Sequence, residues 1–321
     1  MLSIQKKVGQ GSSHAKIILI GEHAVVYSQP AIALPLHSLK TSAKVTLRND
    51  KQKLIKSSYY SGQLEDMPKS MTGINHLITY LLDKQPLAFG FTLELESQLP
   101  IERGMGSSAS VAVAIVRAFY DLFSQGLSHK ELLALANIAE KETHKNPSGL
   151  DVATTSSNTP VWMIKDQVLE EIPLDLDAYL VICDSGIKGK TAEAILAVKE
   201  KLHATPEDTN KLIEQIGQLS RNARKQLAHN DVNGLGKTLD QAQTHLSNLG
   251  VSDPTLDKLI VLARKNGALG AKLTGGGRGG CFICLVDSAK KAKQLSKLMS
   301  ENGAVSTWIE PLNHNKDQLE S

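Results

Sequence analysis

The chain has 321 residues, 41% of them hydrophobic, 4% aromatic and 21% charged, with a formal net charge of +3. That length suits one large domain or two ordinary ones with a real core, which argues against disorder. Near-balanced charge and few aromatic rings exclude nucleic acid and a membrane surface as expected partners, leaving a small molecule.

The N-terminal stretch "MLSIQKKVGQGSSHAKIILIGEH" has no signal-peptide core, and no apolar run approaches the ~18 residues of a membrane helix, so a cytoplasmic protein is expected. Ala15 to Ile20 reads as a buried strand ending at Gly21, and "AIALPL" and "SAKVTLRND" as further strands. "FTLELESQ" alternates, with Phe91, Leu93 and Leu95 on one face of a strand. From Ser107 to about Ser124 the pattern is helical and apolar nearly all round, which predicts a buried helix stopped by Gly126. Ser128 and Glu131 then form a capping box for a helix to about Thr143, and "HKNPSG" breaks the chain before Asp151.

After Pro173 the pattern changes. "AYLVICDS" reads as a strand followed by four or five helices. One of these has Asp253 as N-cap, Pro254 at its first position and Gly267 past its end. "ALGAKLTGGGRGGCFICLV" is a glycine loop feeding a strand; a helix from Ala289 and a strand at "AVSTWIE" complete the chain. The expectation is an α+β protein of two domains, 1–170 and 171–321. Cys281 and Cys284 point to opposite faces of a strand and have no second pair with which to hold zinc. With Cys183 they are expected as small buried residues in a reducing compartment.

The stretch "GMGSSAS", Gly104 to Ser110, fits G-x-G-x-x-A ahead of a helix. A dinucleotide fingerprint also needs a following strand with an acid about 20 residues on. Here a second helix follows instead, so that fold is excluded, and no Gly-Lys-Ser/Thr makes a P-loop. Glycines and helix-start amides still suit a phosphate, and Ser107, Ser108 and Ser110 add hydroxyls able to bond phosphate or ligate Mg²⁺. A plain helix cap would need only one serine.

Three segments in order, "AKIILIGEHAVVYSQPAIALPL", "LPIERGMGSSASVAVA" and "KLTGGGRGGCF", resemble the GHMP kinases. This superfamily includes the galactokinases, homoserine kinases, mevalonate kinases and phosphomevalonate kinases. "GEHAVVY" and "EKETHKNPSGLD" are most similar to the mevalonate kinase branch. The resemblance implies an N-terminal domain like the second domain of ribosomal protein S5 and a ferredoxin-like C-terminal domain. It implies ATP and Mg²⁺ as cofactors, mevalonate as the small-molecule acceptor and transfer to its 5-hydroxyl. A homodimer is compatible with the sequence, which does not fix oligomeric state.

Phosphoryl transfer to an alcohol needs a base or polarising group, positive charge around the phosphates and exclusion of water. By resemblance Asp151 is the catalytic base; on local pattern alone it reads as an ordinary helix N-cap. Lys16, flanked by Ala15, Ile17 and Ile18, is expensive to bury unless paired, and the resemblance makes Asp151 its partner. His14 and Ala15 stand before it where the family usually has Pro-Gly, and Val111 stands where some mevalonate kinases have tyrosine. The resemblance assigns phosphate binding to Gly104, Gly106, Ser107, Ser108, Ala109 and Ser110, and Mg²⁺ to Ser108 and Glu140. Glu140 and Glu142 both flank the same apolar stripe, so helical geometry does not choose between them. On the acceptor side the resemblance implies Glu22, His23, Thr191 and Gly276. Arg278 is expected to be an exposed loop residue without a catalytic role. A non-catalytic nucleotide sensor on the same scaffold would have little reason to keep Lys16, Ser108, Glu140 and Asp151 together.

Overall fold

The computed structural model describes residues 6–100, 103–143 and 148–313. Their contacts divide into two compact units that do not follow chain order. The first comprises residues up to Lys16, Leu39–Leu99 and the chain from Gly106 to Ser156. The second comprises Ile17–Ser38, the stretch ending at Met105, and the chain from Ser157 onward. Two long strands, β1 (Val8–Ile20) and β2 (Pro30–Leu47), supply residues to both. The strand expected at Ala15 to Ile20 therefore starts seven residues earlier, at Val8. The two strands expected at "AIALPL" and "SAKVTLRND" are one. Pro35, which lacks an N–H, falls between the stretches of β2 that pair with β5 and with β6, so it interrupts neither of those two ladders.

In the first unit, β3 (Lys53–Lys56), β4 (Ser61–Gln63), α1 (Thr72–Lys84) and β5 (Phe91–Ser97) precede α2 (Ser107–Phe123), α3 (His129–Thr143) and α4 (Leu150–Ser156). The strand order is β4-β3-β5-β2, with β3 parallel to β5 and Leu93 of β5 opposite Val45 of β2. Alternation along β5 sends Phe91, Leu93 and Leu95 into the core, where the Phe91 and Phe119 rings meet edge to face at 5.5 Å. The α2 helix is apolar on nearly every side because it is covered by α1, α3 and α4. It ends before Gly126, at Ser124, which takes a left-handed conformation with φ 52°. Only half of the expected capping box forms. Ser128 Oγ accepts the Glu131 N–H at 3.3 Å, but the Glu131 carboxylate accepts the Tyr120 hydroxyl at 2.6 Å instead of returning to the helix start. Of the expected break, 144–147 lies outside the described residues; Ser148 accepts the Leu150 N–H at 3.3 Å as α4 begins.

In the second unit the first residues of β2 pair with β6 (Val161–Ile164), which pairs with β7 (Val168–Glu171). Then come β8 (Tyr179–Asp184), α5 (Thr191–Ala204), α6 (Pro206–Ala228), α7 (Val232–Asn248), α8 (Pro254–Lys265), β9 (Gly270–Leu273), β10 (Cys281–Val286), α9 (Ala289–Glu301) and β11 (Ser306–Pro311). The second sheet is antiparallel, in the order β11-β8-β10-β9. The α8 helix starts as its sequence dictates, with Asp253 accepting the Thr255 N–H at 2.8 Å. Cys183 and Cys284 join Phe282 in the core, Cys281 lies on the opposite face of β10, and all three are buried free thiols. Among the described residues no helix is long and apolar enough to cross a membrane.

Candidate active site

The first unit brings Lys16 and Asp151 together. Lys16 lies within β1 between fully buried Ala15 and Ile17, and its side chain is 3% exposed. Its Nζ sits 3.0 Å from Asp151 Oδ1, in the first turn of α4, where the carboxylate remains 37% exposed. The carboxylate offsets the cost of burying the ammonium and keeps a face open to a ligand. One further bond ties α4 to the strand, Ser13 Oγ donating to the Thr155 carbonyl at 2.7 Å, while within α4 Thr155 Oγ1 donates to the Asp151 carbonyl at 2.9 Å. In place of the usual Pro-Gly, His14 Nδ1 donates to the Ala15 carbonyl at 2.9 Å.

Gly106 caps α2 beside this pair. Its φ is 73°, and a Cβ there would stand 2.8 Å from Lys16 Cγ and 3.1 Å from Thr155 Cγ2, so only glycine lets the helix begin here. With no capping side chain, the amides of Ser107, Ser108 and Ala109 are left at the positive end of the helix. Ser107 and Ser108 are half-buried, and Ala109 is buried. The buried Ser110 hydroxyl is committed to the helix start, donating to the Ser107 carbonyl at 2.9 Å and accepting from Thr41 at 3.0 Å. Burial separates the two glutamates of α3. Glu140 is 2% exposed, whereas Glu142 is exposed and meets His76 Nδ1 at 3.0 Å. Glu140 thus offers a buried carboxylate on the helix packed against α2, which carries Ser108. Among the described residues no three His, Cys, Asp or Glu side chains gather into a metal cage. Mg²⁺ does not require one, since one or two protein oxygens with phosphates and water complete its shell, and a hydroxyl plus a carboxylate fit it.

The second unit gathers Glu22, His23, Thr191 and Gly276. Beyond β1 the Ala24 N–H bonds the Glu22 carbonyl at 2.6 Å, closing a γ-turn with His23 at its centre at φ 60° and ψ −44°. This positive-φ γ-turn is strained for a residue with a side chain, at a cost of about 1–3 kcal/mol. His23 Nε2 lies 3.0 Å from the Gly276 carbonyl, which can only accept, so Nε2 carries the hydrogen. Burial lowers the His23 pKa to about 4; the Gly276 bond opposes this and the Lys272 ammonium adds to it. Near neutral pH the ring is therefore uncharged, with Nδ1 as a lone-pair acceptor.

Glu22 bonds Lys272, and the two side chains are 1% and 0% exposed. Burial pushes the Lys272 ammonium below its usual range, against the favourable effect of Glu22. Thr191 opens α5, and a Cβ on Gly276 would come 2.2 Å from its Oγ1, so the bare glycine lets that hydroxyl lie on the loop. Gly104, exposed, lies beside Gly275; Arg103 before it donates to Asp184 Oδ2 at 2.8 Å. Arg278 is a tether, donating through Nε to the Gly250 carbonyl at 3.2 Å. Lys272 and Thr274 are absent from the residues expected from sequence. The signal for Lys272 was available, since Ala271 and Leu273 flank it as apolar residues flank Lys16.

The chain is similar to known proteins over most of its length. Residues 73–158 match the family described as GHMP kinases N terminal domain, and residues 223–305 that described as GHMP kinases C terminal. The mevalonate kinase of Thermococcus sibiricus is 30% identical over 295 residues, covering 85% of this chain and 88% of that protein. The crystal structure of mevalonate kinase from methicillin-resistant Staphylococcus aureus MRSA252 is 30% identical with a TM-score of 0.75, covering 96% of this chain and 100% of that one. L. major mevalonate kinase, solved in complex with R-mevalonate, is 25% identical with a TM-score of 0.84, covering 98% and 99%. The two-domain fold and these matches define an ATP-dependent kinase that acts on an alcohol. The chain belongs to the mevalonate kinase family of the GHMP kinases.

Proposed function

We propose that the chain transfers the γ-phosphoryl of ATP to the 5-hydroxyl of mevalonate, giving 5-phosphomevalonate for isoprenoid synthesis. The observation that carries this is the Lys16–Asp151 pair, a buried ammonium 3.0 Å from a carboxylate that keeps an open face. Asp151 takes the proton from the acceptor hydroxyl as its oxygen attacks in line, and Lys16 stabilises the negative charge developing beside it. The proton ends on the Asp151 carboxylate, and the ATP β-phosphate leaves as ADP.

ATP binding is assigned to the 1–170 part of the chain. The amides of Ser107, Ser108 and Ala109 hold phosphate oxygens together with the Ser107 and Ser108 hydroxyls, and Gly104 and Gly106 allow close approach. Ser110 holds the first turn in shape. Ser108 and Glu140 would hold Mg²⁺, which supplies positive charge to the phosphates when bound. On the acceptor side, His23 offers Nδ1, Thr191 its hydroxyl and Gly276 its bare backbone, while the Glu22 carboxylate is occupied by Lys272. The reaction belongs in the cytoplasm, where free thiols such as Cys183, Cys281 and Cys284 persist.

The test is ADP release from Mg-ATP with mevalonate, phosphomevalonate, homoserine and galactose supplied separately. Turnover with mevalonate alone is expected. Turnover with another acceptor would keep the kinase and overturn the assignment of its substrate; nucleotide binding with no turnover would favour a sensor.

A further inference from the structure

Lys272 in β9, and Thr274 and Gly276 in the loop that follows it, hold three points along residues 18–23. The Thr274 hydroxyl donates to the Ile18 carbonyl at 2.9 Å and accepts the Ile18 N–H at 3.0 Å. Lys272 Nζ bonds the Glu22 carboxylate, and the Gly276 carbonyl accepts the His23 Nε2–H at 3.0 Å. Alternation within β9 turns Lys272 away from its neighbours Ala271 and Leu273. Ala271 and Leu273 take the other face and enter the core. The stretch is braced by α7, where Asp240 accepts the Ala271 N–H and Gln243 the Leu273 N–H, each at 2.9 Å. Gln243 is itself fixed, donating to Ser252 and Asp257 at 3.0 Å.

A fully buried ion pair is weak evidence of stability, because apolar residues of similar volume often serve as well or better. Its presence here needs another reason. The segment it grips contains the γ-turn at His23, a conformation that persists only where its surroundings impose it.

We propose that Lys272 is a positioning residue for the alcohol acceptor. With Thr274 and Gly276 it clamps Glu22 and the turn at His23, so that the imidazole is preset to meet the acceptor. The proposal rests on the acceptor-side role assigned above to His23.

The test compares wild type with Lys272→Met in the full chain. The expected result is an acceptor KM raised at least tenfold, with the ATP KM and kcat within about threefold, and faster amide hydrogen exchange confined to residues 18–23. Where the single variant fails to fold, Glu22→Gln with Lys272→Met removes both charges, and the same KM split is expected. A folded variant with an unchanged acceptor KM, or with equal rises for acceptor and ATP, would overturn the proposal. The exchange measurement needs no acceptor. A wild type inactive on mevalonate therefore removes the substrate assignment alone, whereas unchanged exchange at 18–23 removes the clamp.

Discussion

Each unit holds a lysine paired with a carboxylate, and the two pairs differ in what water reaches. In the first, Lys16 is sealed but Asp151 remains 37% exposed; in the second, Lys272 and Glu22 are both sealed. The open carboxylate can take a proton from a bound alcohol while its lysine stays in place. The sealed one can touch nothing else without losing its partner, so it suits holding shape. The two lysine–carboxylate pairs thus differ in burial, and that difference suits the one to chemistry and the other to geometry.

The comparison is sharpest under mutation. Lys272→Met strands a buried Glu22 charge and should cost about 3–5 kcal/mol of stability in urea unfolding. Lys16→Met strands a carboxylate that solvent still reaches, so its cost should be clearly smaller; equal costs would erase the distinction. A further test is pH. Below 6.5 the unfolded chain takes up a proton at His23 that the folded chain refuses until about 4. This group's stability contribution is full above 6.5 and is lost as pH falls through about 4, by on the order of 3 kcal/mol. His23→Asn, which tolerates positive φ, should lose that part of the slope between pH 6.5 and 4 while the rest of the acid response persists. The smallest effect is expected at Gly106→Ala, where φ 73° and contact with Lys16 should cost about 1–2 kcal/mol and lower turnover about tenfold. Unchanged turnover there would mean that Lys16 yields without consequence.

Much of this was legible in the sequence, for physical reasons. Lys16 stands out because a charge among Ala15, Ile17 and Ile18 demands a partner, but only the family resemblance singles out Asp151, whose local pattern is that of a helix start. Lys272 carries the same signal, and its partner Glu22 lies 250 residues away in the chain, beyond any local pattern. Nothing in Glu22-His23-Ala24 announces a positive φ at histidine, since the turn depends on what grips it. Glu140 and Glu142 flank one stripe in the sequence, and burial by neighbouring helices separates them. The strand β7 gives no alternation because all four of its residues are exposed. Periodicity is read along the chain, whereas the units are defined by contacts, so strands such as β1 and β2 that serve both are not visible as such in sequence.

The most direct measurement is rapid-quench phosphoryl transfer by Asp151→Asn beside wild type, with Mg-ATP and mevalonate at saturation. The expected result is a chemical step slowed at least about a hundredfold, with acceptor affinity within threefold and a fold that stays intact though less stable, because the Lys16 ammonium loses its partner. A chemical step as fast as that of wild type would contradict Asp151 as the base and leave the open pair without its function.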